Sequence, residues 1–185
     1  IHRDASTQLN SLLAGETHIA DTIAGSDAEQ IIDNDGYVWE THIGFFHNTL
    51  KMNNQGEYTS DIHVRNAVAH AMNYEAMAEA QDVSITILPG PTAANFMGYV
   101  DGLEAPVYDI EVARAHLAQS AWPDGGFTLD YVYVTEFPRE EIPGLILLEG
   151  LAELNIELNM VPMLWPDMVA SCGGSETGPD IINIY

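Results

Sequence analysis

The chain has 185 residues, 46% of them apolar, enough for one folded domain and too many for a disordered tail. Twenty-eight Asp and Glu stand against five Lys and Arg, with Lys51 the sole lysine, for a net charge of −23. That surface repels phosphate backbones, so no nucleic-acid partner is expected, and its self-repulsion points to adaptation to salt, where charge is screened.

The predicted elements begin with a short helix. Leu9, Leu12 and Leu13 share a face and Gly15 is placed to end it. Thr17 to Ala20 reads as a short strand, Gly25 to Gly36 as a loop, and Tyr37 to Asn48 as extended chain with alternating apolar positions. A polar loop from Lys51 to Ser60 follows. Asp61 then caps a helix reaching Glu79, in which Val64, Ala67, Val68, Ala71 and Met72 form one buried stripe. Pro89 to Pro106 has no clear period and reads as a long surface loop.

Asp109 caps a second helix running to about Ala121, with Ala113 and Leu117 inward, and Pro123-Asp124-Gly125-Gly126 stops it. A strand carries Phe127, Leu129, Tyr131 and Tyr133 on one face. Glu140 and Glu141 suit the first turn of a third helix, where the dipole favours acids, and Leu147, Leu148, Leu151 and Leu154 form its apolar face. Ile156, Leu158 and Met160 begin another strand, Pro166 opens a short helix after Trp165, and Ile181 to Tyr185 reads as a final strand. Strands interleaved with helices define an α/β class with a mixed sheet flanked by helices, here one domain over residues 1–185.

Motifs for chemistry are missing. The sequence has no phosphate-binding G-x-x-x-x-G-K-[ST], no G-x-G-x-x-G, no G-x-S-x-G and no H-E-x-x-H. Cys172 has no basic neighbour in sequence to activate it and reads as an inert thiol. His63 and His70 share a helix face but lie two turns apart, roughly 10 Å, too far to chelate one ion directly. His42 and His47 fall on opposite faces of an extended segment. No cofactor or metal is expected, no apolar run is long enough to cross a bilayer, and an exported form needs a leader beyond Ile1.

Four ordered segments carry a resemblance. Leu12-Leu13-Ala14-Gly15-Glu16-Thr17-His18-Ile19-Ala20 is similar to L-x-x-G-E-x-D-I-A, with His18 at the Asp position. Asn48, then Asp61-Ile62-His63-Val64-Arg65-Asn66-Ala67-Val68-Ala69-His70-Ala71-Met72-Asn73-Tyr74-Glu75, resembles N…F-x-D-x-R-V-R-x-A-[LIV]-x-x-A-[IM]-D-R-E, with Asn73 at an Asp position. Tyr108-Asp109 through Trp122-Pro123-Asp124-Gly125-Gly126-Phe127 resembles Y-D-P-x-x-A-x-x-L-L-x-x-A-G-W-P-x-G-F. Leu151 to Leu158, then Trp165 and Asp180 to Tyr185, resembles L-x-x-I-G-I-x-V…W followed by a D-[AIV]…W strand. Together these resemble the peptide/nickel solute-binding family of ABC importers.

The resemblance implies the second lobe of a two-lobed periplasmic-binding-protein-like fold that closes on a peptide or other small solute and docks on an ABC permease. It implies a periplasmic or extracellular location, with a lipoprotein anchor as one mode, and no catalysis. On this lobe it implies solute-facing positions at Trp165, Asn183 and Tyr185, with Arg139 in a loop near the cleft. Trp165 either stacks on a ligand or packs in the core, and Arg65 reads as structural. The competing reading is a stand-alone acidic α/β hydrolase using carboxylates, which a cleft with two carboxyls of raised pKa would favour.

Overall fold

The computed structural model describes residues 5–20, 23, 25–32, 34–40, 47–81, 85–94, 96–135, 137–174 and 178–184. They group into two compact units, residues 1–44 with 82–85, and residues 45–81 with 86–185.

The first unit holds α1 (Ala5–Leu13) and α2 (Gly25–Ile32). Leu9 is buried, and Gly15, at φ 73°, turns its N–H onto the Leu12 carbonyl to end α1. The strand expected at Thr17–Ala20 does not form. The Ser11 carbonyl accepts the N–H groups of Glu16 and Thr17, which folds the chain back on the helix end. The loop expected from Gly25 is helical as far as Ile32, because Ala28 and Ile31, three apart, are both buried. Residues 37–40 form no strand, and the rest of that expected extended segment falls largely on residues 41–46, outside the described ones.

The second unit starts with β1 (Thr49–Met52), in part a stretch expected as polar loop. Next come α3 (Ile62–Ala71) and α4 (Tyr74–Ala80) where one helix was expected. The break falls at Met72–Asn73: Asn73 is extended and its side chain accepts the Ala76 N–H, so it caps a new helix. Then follow α5 (Ile110–Leu117), β2 (Phe127–Val134), a 3-10 turn (Pro138–Glu140), α6 (Glu141–Ala152), β3 (Ile156–Met163), α7 (Trp165–Ser171) and β4 (Ile181–Ile184). The long segment before α5 has no regular structure among its described residues.

The strands order as β1-β4-β2-β3. β2 runs parallel to β3 from Phe127↔Ile156 to Val134↔Met163 and parallel to β4 at Tyr131↔Ile181, while β1 pairs antiparallel to β4. This is the expected mixed sheet with flanking helices. The α3 stripe Val64, Ala67, Val68, Ala71 and Met72 is buried against Ala113, Leu117, Leu147 and Leu151 and against the sheet residues Phe127, Leu129, Tyr131 and Ile156. Each fully buried Val contributes about 1.5–3 kcal/mol. The other sheet face packs Val132 and Val134 on Met168 of α7. Leu148, expected inward on α6, is 39% exposed, because Leu147 and Leu151 take the inner positions.

Two devices set the spacing. A Cβ on Gly150 would collide with the Ala71 carbonyl, so glycine lets α6 lie directly on α3. At the Pro123–Gly126 turn, Gly125 and Gly126 have φ of 66° and 80°, and a Cβ on Gly125 would strike the Leu154 and Asn155 carbonyls. The Gly126 N–H donates to the Asn155 carbonyl at 2.6 Å, and the Asn155 amide donates to the Asp124 carbonyl, which sets the start of β2 beside the start of β3.

Asp61 joins α3 to the segment after α5. Its Oδ1 accepts the His63 N–H at 2.8 Å and its Oδ2 accepts the Ala121 N–H at 3.0 Å. The Ala121 bond leads in holding its pKa below the ordinary 3.8, and burial opposes it. A depressed carboxyl stabilises the fold fully above the unfolded value and loses that contribution as pH falls through the folded one. Asp61→Ala should therefore cost on the order of 1 kcal/mol near neutral pH. Urea melts from about pH 7 down to about pH 3 should show the gap to the native protein closing with acid. A gap that stays constant would remove the carboxylate from the account.

Candidate functional site

β2, β3 and β4 are mutually parallel, so the segments leaving their C-terminal ends gather along one edge of the sheet. In open α/β sheets this edge is where ligands sit. From β2 come Thr135 and Phe137–Glu140; from β3 come Leu164 and Trp165; Asn183 lies near the end of β4. The Thr135 N–H donates to the Met163 carbonyl at 3.0 Å, which holds the first two segments together.

Beneath this rim is a closed polar hub. Tyr131, fully buried, donates its hydroxyl proton to the Glu140 carbonyl at 2.7 Å. The Asn183 Nδ2 donates both to the Tyr131 hydroxyl at 2.7 Å and to the same Glu140 carbonyl at 2.8 Å. The Glu140 carboxylate accepts the Val134 N–H at 2.7 Å, and the Glu140 side chain is buried although α6 begins one residue later. Burial, partly offset by the Asn183 hydrogen bond, pushes the Tyr131 hydroxyl far above its ordinary range, so it stays protonated as a donor. Tyr133, also raised by burial and then by Glu141, donates to the Glu141 Oε1 at 3.2 Å.

The predicted site residues divide around this hub. Trp165 is 45% exposed at the first position of α7, where Pro166 follows it into the helix. Leu164 before it, Val169 within α7 and Phe137 after β2 are also exposed. Arg139 is exposed in the 3-10 turn, and its carbonyl is fixed by the Gln81 side-chain amide at 3.0 Å. Asn183 lies under the rim, wholly buried; its Nδ2 is committed to the hub and its Oδ1 has no partner. Tyr185 lies outside the described residues. Glu140 is the residue that sequence reasoning missed. As a sequence it is one of two adjacent acids before a helix, and nothing distinguishes the buried carboxylate from exposed Glu141.

One further carboxylate with a raised pKa serves the backbone. Asp180, before β4, accepts the Asp130 N–H at 3.0 Å; burial first, then the nearby charges of Asp130 and Glu57, raise its pKa. It lies at the opposite end of β4 from the rim. Arg65 holds the Thr59 and Ser60 carbonyls at 2.8 and 2.9 Å, a structural role.

Fold and rim thus define a lobe of the periplasmic-binding-protein class, with its candidate site at the parallel strand ends. Over residues 1–177 the chain matches the middle part of the bacterial extracellular solute-binding proteins, family 5, and it belongs to that family. No curated protein matches it. Among solved structures it is similar to the ABC transporter-associated periplasmic binding protein DppA from Helicobacter pylori in complex with the peptide STSA, at 20% identity and TM-score 0.76, covering 98% of this chain and 35% of that one. HbpA2 from Haemophilus parasuis is similar at 22% identity and TM-score 0.78, covering 100% and 37%. MoaA from A. tumefacien R10, in complex with mannopinic acid, is similar at 20% and 0.75, covering 100% and 37%. The chain therefore spans little more than a third of the length of these proteins, and the hydrolase reading finds no support among them.

Tyr131→Phe removes the hydroxyl that links Asn183 to Glu140 and should cost about 1–2 kcal/mol. Hydrogen exchange should also quicken over residues 134–140 if the hub holds that turn. Unchanged stability together with unchanged exchange would dissolve the hub.

Proposed function

We propose that this chain is a solute-binding lobe of an ABC importer, acting outside the cytoplasm to present peptides or related small solutes to a membrane permease. Family membership carries this reading, and the apolar rim at the parallel strand ends supports it. The DppA complex holds a peptide and the MoaA complex mannopinic acid, so the class of solute proposed is a small polar molecule with an extended backbone or chain. Trp165 supplies a flat apolar surface for it. Arg139 supplies a cation in a chain with few, and Tyr185 is proposed as a further solute-contacting residue. Asn183 acts from below, positioning the Phe137–Arg139 turn through Glu140 and Tyr131. The whole 185 residues act as one lobe, and a second lobe completes the site. Closure of the two expels water and strengthens the polar contacts between them. No step of covalent chemistry is involved, and a lipoprotein anchor or a soluble form serves equally.

Calorimetry with a pool of short peptides tests the reading. The 185-residue chain alone should bind weakly, and the same residues within a two-lobed protein far more tightly. Trp165→Ala should weaken the two-lobed form by on the order of 2 kcal/mol, about 30-fold in Kd, without loss of fold. Equal affinity of the single chain and the two-lobed protein would overturn the clamshell.

The net charge of −23 supports the reading that the protein works in a salty medium. Repulsion among exposed acids is then a standing cost that screening relieves. The melting temperature should rise from low salt to molar sodium or potassium chloride. A flat response to chloride would argue for an acidic surface of other origin.

A further inference from the structure

Burying a polar side chain costs free energy unless it is hydrogen-bonded, so the places where a chain buries them are informative. Among the described residues five polar or charged side chains are buried: Ser11, Thr59, Gln81, Glu140 and Asn183. Three of these five meet at the 3-10 turn Pro138–Glu140. Glu140 and Asn183 belong to the hub. Gln81 comes from a separate element, as the cap at the C-terminal end of α4. It is 7% exposed, and its Nε2 donates to the Arg139 carbonyl at 3.0 Å. A carbonyl only accepts, so the amide nitrogen is the atom that faces it.

The needs of α4 do not explain this bond. A helix leaves its last four carbonyls without partners inside the helix, and a glutamine at its end can serve them. The Gln81 amide instead reaches a residue 58 positions later in the sequence. No residue within α4 is buried either. What the bond holds is Arg139. Its guanidinium is exposed and has no ion pair or hydrogen bond among the described residues, whereas Arg65 holds the Thr59 and Ser60 carbonyls and Arg114 pairs with Glu111 and Glu153. The carbonyls of the consecutive residues Arg139 and Glu140 are thus each taken by a side-chain donor from outside the turn.

We propose that Gln81 is a positioning residue of the solute site: from the end of α4 it fixes the backbone of Arg139, so that the guanidinium is held at the strand-end rim before a solute arrives. The inference rests on the strand-end reading of that site. Gln81 acts through Arg139 and does not itself touch the solute. Ordering a long side chain and its turn in advance lowers the entropic cost of binding, and without the Gln81 bond that cost returns at each binding event.

Gln81→Met keeps the length of the side chain and removes the donor. In the 185-residue chain, amide exchange over residues 137–140 should quicken about threefold to tenfold, with exchange in α3 unchanged. In the two-lobed protein, calorimetry with short peptides should show binding weakened about threefold to tenfold. That loss should vanish when Arg139→Gln is already present, which a contact serving the fold alone would not do. Should Gln81→Met fail to fold, Gln81→Asn, which keeps the amide but withdraws it by one methylene, takes its place. Unchanged exchange, unchanged affinity, or a loss of affinity that persists in full beside Arg139→Gln would each overturn the role of Gln81. A native two-lobed protein that binds no peptide would instead overturn the solute-site reading, and this inference with it.

Discussion

The close approach of α6 to α3 at Gly150 and Ala71 sets the dimensions of the second unit. With no side chain at Gly150, the two helices meet backbone to side, and the α3 stripe drops fully onto the sheet. Any Cβ there would push α6 outward and open the space that Leu147 and Leu151 fill. In a close-packed interior such a gap forfeits contacts on every side. Gly144, where a Cβ would crowd Met160 and Tyr131, applies the same constraint one turn and a half earlier. Because α6 is also the connection between parallel β2 and β3, its seating fixes where the C-terminal ends of those strands emerge.

The polar hub follows from that seating. With α6 starting close above the end of β2, the Val134 N–H and the Glu140 carbonyl both lie in a buried layer. Unsatisfied, each would carry a desolvation cost of about 1–3 kcal/mol. Glu140 takes the Val134 N–H with its carboxylate, while its own carbonyl is taken by Tyr131 and Asn183. One residue thus closes the strand, the turn and the neighbouring strand at once. The exposed side chains of the turn, Phe137 and Arg139, stand on a base with little freedom, which is what a recognition surface needs to avoid an entropic penalty on binding.

What was legible in the sequence was the part governed by period and by caps. The α3 stripe, Asp61 and Asp109 as caps, the Pro-Asp-Gly-Gly stop and the alternation of β2 are local signals, and the structure uses each as its local chemistry suggests. The errors came where one signal had two physical meanings. Asn73 sits inside a helical period but its amide competes for the backbone, so it restarts a helix. Gly25 to Ile32 has a loop's composition, yet two inward positions suffice for two turns of helix. Of the candidate site, the strand-end location of Trp165 and Arg139 was available from the family pattern. The hub was not, because it depends on three residues up to 52 apart in sequence meeting in one layer.

The acidity bears differently on the two ends of this architecture. Buried positions carry few charges, so the 28 acids crowd the surface and the caps, and several are spent on backbone N–H groups at Asp61, Asp109, Glu140 and Asp180. At Asp61 the backbone hydrogen bonds outweigh burial and favour the carboxylate, whereas at Asp180 burial and the nearby charges of Asp130 and Glu57 oppose it. The strand-end rim, by contrast, presents Trp165, Leu164, Phe137, Val169 and a cation at Arg139. These exposed apolar side chains lie at the edge where the topology of an open α/β sheet offers a binding position. Charge elsewhere keeps copies of the chain apart, so that patch is guarded against self-association by long-range repulsion while a small solute approaches it freely. In high salt that repulsion is weakest.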